Sequence, residues 1–245
     1  MSLTNIWIKI CANTSLDDAL LAAEAGADAV GFVFAPSPRR VTSAQVAAIV
    51  PHLPAPLEKI GVFVDASFEE IESTVRACAL TGVQLHFNAA PDLSARLRKQ
   101  FGPALRILRV IHFDGQNAKA SCLVSGHDFS RAASVEEGVE ALAPEACFRD
   151  PSIDAILVDS RTTEAIGGTG KSFDWTLAST ALFQNAKECK LVAAGGLSPE
   201  NVAEAIATLR PWGVDVVSGV EATPGRKDPA KVHAFIANAR EVHRW

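Results

Sequence analysis

The sequence contains no tyrosine among its 245 residues, and it has only one methionine and five cysteines. Without tyrosine, no phenol can serve as a catalytic acid, so any proton transfer must use other side chains. The cysteines are odd in number and include no CxxC pair, which argues against a disulfide framework and fits a reducing compartment. No apolar run approaches the roughly 20 residues that a membrane-spanning helix needs.

A strong excess of charge of either sign is also missing. Lysine and arginine total 23 against 28 aspartate and glutamate residues, which gives a net charge of -5. This balance argues against a nucleic-acid or anionic-membrane surface, so any phosphate must be held locally. The opening residues, MSLTNIWIKI, lack a basic region followed by an apolar segment. We therefore expect a cytoplasmic protein that binds neither nucleic acid nor membrane.

What the sequence does contain is a regular alternation of short apolar runs and helical patterns. Eight predicted strands follow one another mostly at roughly 22–30 residues, the size of one βα unit, with about eight helices between them and a wider gap between strands five and six. Strand four is predicted at 82–86 and strand five at 105–111. Eight such units in 245 residues predict an α/β fold, a single (β/α)8 TIM barrel, whose typical size is about 250 residues.

The same pattern predicts one domain over 1–245 with an insertion around 114–150, to which we assign no function. A helical stretch is predicted at 134–143 within it, and a later helix is predicted to be capped by Ser198-Pro199, with proline in its first turn. A doubly wound open sheet is the structural alternative. Such a sheet would usually have a glycine-rich turn after strand one, where this chain has Cys11-Ala12-Asn13-Thr14.

Chemically useful side chains collect at the predicted strand ends. In a barrel these carboxyl ends surround one mouth, where active sites lie. The side chains are Cys11 after strand one, Arg39 after strand two, Asp65 after strand three, Gln84 and His86 on strand four, and Asp159 at the end of strand six.

Three loops after the last three strands bring small residues to the same mouth. They contain Gly168 and Gly170, Gly195 and Gly196, and Ser218 and Gly219. Glycine lets backbone N–H groups approach an anion, and barrel phosphate sites commonly lie beside strands seven and eight. Any one of these glycines alone could simply form a turn, and the first loop lacks the Walker spacing. Together they predict a phosphate site.

Cys11 and Asp159 form a possible acid–base pair across this mouth. A thiolate can remove a proton and a carboxylic acid can donate one. Each of these residues also has a non-catalytic interpretation. A free cysteine such as Cys11 is commonly a small buried apolar residue. Arg39 could be a solvated turn residue, and His86 could be a structural histidine. In a mouth, the planar fork of Arg39 could instead clamp a carboxylate.

Several segments, in order along nearly the whole chain, together resemble the phosphoribosylanthranilate isomerase family. They are KIC at 9–11, GADAVGFVF at 26–34, GVFV at 61–64, VQLH at 83–86, LVDS at 157–160, 167–175, AGGLSPENV at 194–202 and 214–228. The resemblance implies a (β/α)8 barrel of tryptophan biosynthesis that performs an Amadori rearrangement of N-(5-phosphoribosyl)anthranilate. It implies no cofactor and no metal, and the partners it implies are a phosphorylated small-molecule substrate and, at most, a second copy of the chain, so a monomer or homodimer.

The resemblance also implies roles for the residues already noted. Cys11 looks like the base that removes the sugar C2 proton, and Asp159 looks like the acid that protonates the ring oxygen. Arg39 resembles the residue that holds the anthranilate carboxylate. The three glycine-containing loops resemble the phosphate-binding loops of the family. His86 and Asp215 match other positions that line the site.

This chain departs from the family pattern at three positions. Ala12 and Phe87 stand where the family usually has glycine, and Val217 stands where it often has serine. Two other functions stay open at this point. One is a phospho-ligand binding barrel with lost or altered isomerase activity. The other is a sister barrel enzyme of the histidine pathway, which usually pairs two carboxylates at strand ends one and five, a pattern that Cys11 fits poorly.

Overall fold

The computed structural model describes residues 6–86, 92–114, 119–121, 148–159, 178–183 and 189–242. Eight parallel strands close into a barrel with helices between them, which confirms the predicted α/β fold. The barrel strands are β1 Trp7–Ile10, β2 Ala29–Val33, β3 Glu58–Val64, β4 Gly82–His86, β5 Arg106–Asp114, β7 Ala155–Asp159, β8 Leu191–Ala194 and β9 Gly213–Val216; the short β6 is Lys119–Ser121.

The barrel closes because its first strand pairs on both sides. In β1, Lys9 lies opposite Ala29 of β2 and opposite Asp215 of β9. On the far side of the barrel, β4 pairs with β5 in parallel. No barrel strand is therefore left as an edge, and all carboxyl ends face the same mouth.

Several of the helices that cover the barrel begin at a residue whose side chain caps the first turn. Ser67 accepts a hydrogen bond from the N–H of Glu70, and Thr42 pairs in the same way with Gln45, so both form capping boxes. The helices are α1 Leu16–Glu24, α2 Ser43–Ile49, α3 Phe68–Ala77, α4 Leu93–Phe101, α5 Val202–Leu209 and α6 Pro229–Val242. In the part of the chain that the structure describes, no helix combines the length and apolar character needed to cross a bilayer.

The barrel interior changes character from bottom to top. Side chains around Trp7 form an apolar cluster in the lower part. Above it lie the buried polar side chains of Lys9, Gln84 and Asp215. Cys11 and Val33 come next, directly below the mouth. Because successive residues of a strand point to opposite faces, Trp7, Lys9 and Cys11 all point inward.

Two predicted elements differ from the structure. Strand β5 continues beyond 111 to Asp114, because it pairs there with the antiparallel β6, which falls inside the predicted 114–150 insertion. Helix α5 begins at Val202, a few residues after the predicted Ser198-Pro199 cap, and residues 198–201 form a turn that leads into it: the Ser198 N–H donates to Asn201 Oδ1 at 2.8 Å and the Val202 N–H donates to the Ser198 carbonyl at 3.1 Å. The predicted helical stretch 134–143 lies outside the described residues.

Candidate active site

The mouth of the barrel holds one cavity that brings most of the predicted site residues together. Its lining includes Cys11, Arg39, His86, Asp159, Gly195, Gly196, Asp215 and Ser218. Gly219 lies next to Ser218 and does not line the cavity. Gly168 and Gly170 lie outside the described residues, so their predicted role stays a prediction.

Cys11 follows β1 directly and is held at the top of the barrel interior. Its N–H donates to the Val216 carbonyl at 2.9 Å, and its side chain is buried. Burial raises the pKa of the Cys11 thiol. The cations of Lys9 and Lys227 lower this pKa and the Asp215 carboxylate raises it further, and the net direction is upward.

Ala12 has a backbone conformation that glycine adopts more easily than alanine. Its φ is 60°, in the left-handed region, although alanine carries a Cβ. That conformation costs a non-glycine residue roughly 1–2 kcal/mol. The chain therefore keeps the turn after Cys11 with some strain, and the buried Ala12 methyl group lines the cavity.

A buried polar network runs beneath Cys11. Lys9 Nζ donates to Asp215 Oδ1 and to Gln84 Oε1, both at 2.8 Å. The side-chain amide of Gln84 in turn lies 2.8 Å from His86 Nε2. Burial by itself lowers the pKa of Lys9, but the carboxylate of Asp215 and the Cys11 side chain raise it, and the net direction is upward. Lys9 is therefore held as a cation inside the barrel.

Asp159 is the last residue of β7, a strand that is not adjacent to β1, and it lines the same cavity as Cys11. Its neighbour across the strand pair is His112 of β5, whose Nδ1 lies 3.9 Å from Asp159 Oδ2. The ring of His112 lies 6.3 Å from that of His86, centroid to centroid. The two histidines therefore lie between Gln84 and the carboxylate of Asp159.

Arg39 is anchored by a residue that sequence reasoning did not identify. Its Nε donates to Glu221 Oε1 at 2.9 Å and its Nη2 donates to Glu221 Oε2 at 2.7 Å. This two-bond contact fixes the plane of the guanidinium, which also lines the cavity. Burial raises the pKa of Glu221, but its bonds to Arg39 and the nearby Lys227 lower it, and the net direction is downward, so it is an anion.

Glu221 is carried by a small hairpin that follows β9. The hairpin strands are β10 Glu221–Thr223 and β11 Arg226–Lys227. Its tip is tied to the loop after β1, because Thr14 Oγ1 donates to the Gly225 carbonyl at 2.6 Å. The buried Lys227 Nζ lies 3.5 Å from Glu221 Oε1. The hairpin therefore joins the loops after β1, β2 and β9 around Cys11.

The glycines of the last two loops have different reasons to lack a side chain. Gly195 and Gly196 have φ values of 82° and 65°, and a Cβ at Gly196 would meet nothing within 4 Å. A Cβ at Gly219 would lie 1.9 Å from the Leu197 carbonyl oxygen. Gly219 is thus required by backbone packing, whereas Gly196 borders open space at the mouth.

Four residues of the site were missed from sequence: Lys9, His112, Glu221 and Lys227. Lys9 had a signal, because a lysine between apolar neighbours in a predicted parallel strand has to be buried. His112 was missed because strand five was predicted to end at Ile111. Within the described ranges, no group of three or more His, Cys, Asp or Glu side chains is arranged to hold a metal ion.

Comparison with known proteins agrees with this geometry. The family model for N-(5'phosphoribosyl)anthranilate (PRA) isomerase matches residues 8–123 and 104–238. The N-(5'-phosphoribosyl)anthranilate isomerase of Pelobacter propionicus is 39% identical over 238 residues, covering 97% of each chain. That of Pseudomonas fluorescens is 39% identical over 233 residues, covering 95% of this chain and 97% of the relative.

Solved structures extend the likeness to three dimensions. The phosphoribosyl anthranilate isomerase of Thermotoga maritima has a TM-score of 0.76 and 33% identity, covering 96% of this chain and 99% of its own. A phosphoribosyl anthranilate isomerase in complex with reduced 1-(o-carboxyphenylamino)-1-deoxyribulose 5-phosphate has a TM-score of 0.74 and 31% identity over the same shares.

Proposed function

The chain belongs to the N-(5'-phosphoribosyl)anthranilate isomerase family, and we propose that Cys11 and Asp159 perform the two proton transfers of its reaction. The reaction is the Amadori rearrangement of N-(5-phosphoribosyl)anthranilate to 1-(2-carboxyphenylamino)-1-deoxyribulose 5-phosphate, an aldose–ketose isomerisation. The observation that carries the assignment is that Cys11 and Asp159, which come from the non-adjacent strands β1 and β7, line one cavity together with Arg39.

In this mechanism the two groups act on different atoms of the sugar. The Asp159 carboxyl gives its proton to the ring oxygen as the bond between that oxygen and C1 breaks, and the lone pair of the anthranilate nitrogen forms a C1=N double bond, which gives a protonated Schiff base. The Cys11 thiolate then takes the proton from C2. The electron pair of that C–H bond forms a C1=C2 double bond while the C1=N electrons return to nitrogen, which gives the enolamine. Tautomerisation of the enolamine, by protonation at C1 and loss of the C2 hydroxyl proton, gives the ketone. General acid–base catalysis of this kind is typically worth about 10²–10⁴-fold for each group.

The direct test is an assay of the purified protein on freshly made phosphoribosylanthranilate. Substrate fluorescence should fall in proportion to enzyme concentration. A protein that binds the substrate without consuming it would instead be the phospho-ligand binding barrel considered from the sequence. That alternative is not favoured, because the relatives carry the isomerase name over nearly the whole chain.

We further propose that Arg39 holds the anthranilate carboxylate and that Glu221 orients it for that task. The support is the two-bond contact between the Arg39 guanidinium and the buried Glu221 carboxylate. This contact occupies the Nε edge of the guanidinium. Arg39 also lines the cavity, where its positive charge can attract the carboxylate of a ligand.

Arg39→Lys should raise KM more than it lowers kcat, because an ammonium group cannot reproduce the planar fork. The loss should be about 1.5–3 kcal/mol of binding free energy, the scale of a hydrogen bond to a charged group. Glu221→Gln should also raise KM, but by less than Arg39→Lys. In this variant Arg39 keeps its charge, but its guanidinium plane is no longer fixed by the two-bond contact. Steady-state kinetics of both single variants and the double variant measure this coupling.

The neighbouring Arg40 provides the matched control. It is exposed, so Arg40→Lys should leave both kinetic constants unchanged. If the effects of Arg39→Lys and Glu221→Gln simply add in the double variant, Glu221 does not act through Arg39. An unchanged KM in Arg39→Lys would remove Arg39 from the binding site.

We infer that the phosphate group of the substrate binds at Gly195, Gly196 and Ser218, together with the loop that contains Gly168 and Gly170. The support is that the first three residues line the cavity and that Gly196 has both a positive φ and open space beside it. A ligand oxygen can therefore approach the backbone N–H groups there more closely than a side chain would allow.

Gly196→Ala should weaken binding of a phosphate-bearing product analogue by roughly tenfold, or about 1.4 kcal/mol, because the new methyl group projects into the open space. Gly102→Ala is the matched control. Gly102 has a φ of 67°, has open space around it and lies after α4, away from the mouth, so it carries the same backbone strain. Calorimetric titration of both variants with the analogue and its dephosphorylated form separates the effects. A loss of affinity that is equal for both ligands would contradict a phosphate contact.

The remaining predictions rest on the sequence and the family. We infer that residues 1–245 form one barrel domain in which 114–150 is an insertion. We propose a phosphorylated small-molecule substrate, a monomeric or homodimeric assembly and a cytoplasmic location. A crystal structure of phosphoribosylantranilate isomerase from Thermotoga maritima describes monomers generated from a dimeric protein. This supports a proposal that includes both the monomer and the homodimer.

A further inference from the structure

Lys9 is the bulkiest fully buried side chain in the part of the molecule that the structure describes. Its ammonium group has no exposed surface and is held by Asp215 and Gln84 at 2.8 Å each. Such a buried ion pair seldom stabilises a fold more than apolar side chains of equal volume would. Closing the barrel therefore does not explain why a lysine lies at this position.

We propose that Lys9 is a positioning residue for catalysis: its ammonium group, fixed by Asp215 and Gln84, stabilises the thiolate of Cys11 and so sets how readily Cys11 acts as a base. The inference rests on the proposed function, in which Cys11 removes the C2 proton. It adds a residue that never needs to touch the substrate.

The first support is geometric. Lys9 lies on β1 and Cys11 directly follows this strand, two residues later, so both side chains point to the same face, into the barrel. Both side chains pack over Gly31 of the neighbouring β2. A Cβ at Gly31 would lie 2.5 Å from Cys11 Sγ and 3.0 Å from Lys9 Cε. The absence of a side chain at Gly31 is what allows the lysine and the thiol to lie side by side.

The second support is the set of charges around the thiol. Asp215 approaches from β9 and Lys227 approaches from β11, while Arg39, His86 and Asp159 line the same cavity from the loop after β2, from β4 and from β7. Among the charged groups, Lys9 acts most strongly on the pKa of Cys11, and it lowers that pKa. Asp215 raises it more weakly, and Lys227, whose partner is Glu221, lowers it.

The experiment measures the rate at which iodoacetamide alkylates Cys11 in the unliganded protein as a function of pH, read for that peptide by mass spectrometry. Thiolate, not thiol, reacts, so the midpoint of the profile reports the pKa of Cys11. A cation favours the thiolate, so its removal must move the midpoint upward. Lys9→Met should raise it by about 1–3 pH units, the usual effect of a close opposite charge. At a fixed pH below the midpoints of both the unmodified chain and the variant, the labelling rate should fall about tenfold for each pH unit by which the midpoint rises.

Lys9→Met leaves the Asp215 carboxylate buried without its cation, so a second variant guards against unfolding. The double variant Lys9→Met with Asp215→Asn removes both charges. Its midpoint should also rise, but less, because removing Asp215 takes away a weaker effect of the opposite sign. Lys9→Arg keeps a cation and should hold the midpoint near that of the unmodified chain.

Lys59 provides the matched control for removing a buried lysine. It lies on β3, and its Nζ donates to the Pro54 carbonyl at 2.7 Å, away from Cys11. Lys59→Met should leave the midpoint unchanged. If the midpoint stays in place in the double variant, or moves equally in Lys59→Met, Lys9 does not stabilise the thiolate. Either result would leave the role of Cys11 as the base intact, because that role is tested by turnover and not by the alkylation profile.

Discussion

Replacing Cys11 by serine should lower kcat/KM by about 10²–10⁴-fold while the barrel stays folded. A thiol has an ordinary pKa of about 8.5, whereas an alcohol scarcely ionises in water, so serine cannot supply the base. Serine is also slightly smaller than cysteine and creates no clash over Gly31. Steady-state kinetics give the effect, and thermal unfolding shows whether the fold is kept.

A second cysteine offers the control for this substitution. Cys189 is half-buried and lies outside the mouth, where its Sγ bonds only weakly to the Lys190 carbonyl at 3.8 Å. Cys189→Ser should leave turnover unchanged. If Cys11→Ser keeps near-native turnover, another group removes the C2 proton, and the acid–base assignment has to be rebuilt.

Replacing Asp159 by asparagine should cause a loss of similar size, expressed mainly in kcat. The amide keeps the shape of the side chain but has no acidic proton to give to the ring oxygen. An interaction made only in the transition state lowers kcat and kcat/KM together and leaves KM nearly unchanged. Kinetics at saturating substrate therefore separate an acid from a residue that only binds.

Asp65 provides the control for this change at the same mouth. It is exposed at the end of β3 with a φ of 50°, a conformation that asparagine tolerates well. Asp65→Asn should leave both constants unchanged. If Asp159→Asn raised KM with kcat intact, Asp159 would be a binding residue, and the ring oxygen would receive its proton elsewhere.

The sequence predicted the barrel well because strand and helix periodicity are local signals. Strand β4 was predicted with its observed bounds, 82–86, since apolar residues between turn signals define it. The start of α5 was predicted a few residues too early, because Ser198, Pro199 and Asn201 form a hydrogen-bonded turn that leads into the helix but is not part of it. The extension of β5 depends on pairing with β6, a contact that no local pattern shows.

The site was predictable where it depends on strand ends and unpredictable where it depends on contacts between distant segments. Listing strand ends was enough to identify Cys11 and Asp159 as candidates. Glu221 could not be found in this way, because its role follows from a contact with Arg39, 182 residues earlier. The family resemblance implies that Gly219 takes part in phosphate binding, which stays a prediction, and the Leu197 carbonyl is a separate reason why Gly219 has no side chain.

The pairing of β1 with β9 also bears on how the protein is made. A chain emerging from the ribosome presents Lys9 early, whereas Asp215 follows 206 residues later. Until β9 is synthesised, β1 has an unpaired edge and the lysine lacks its carboxylate, a combination that delays closure to the end of folding. A truncated or half-folded product cannot assemble the charges beneath Cys11. In such a product, Lys9 and Asp215 therefore cannot act together on the Cys11 thiol.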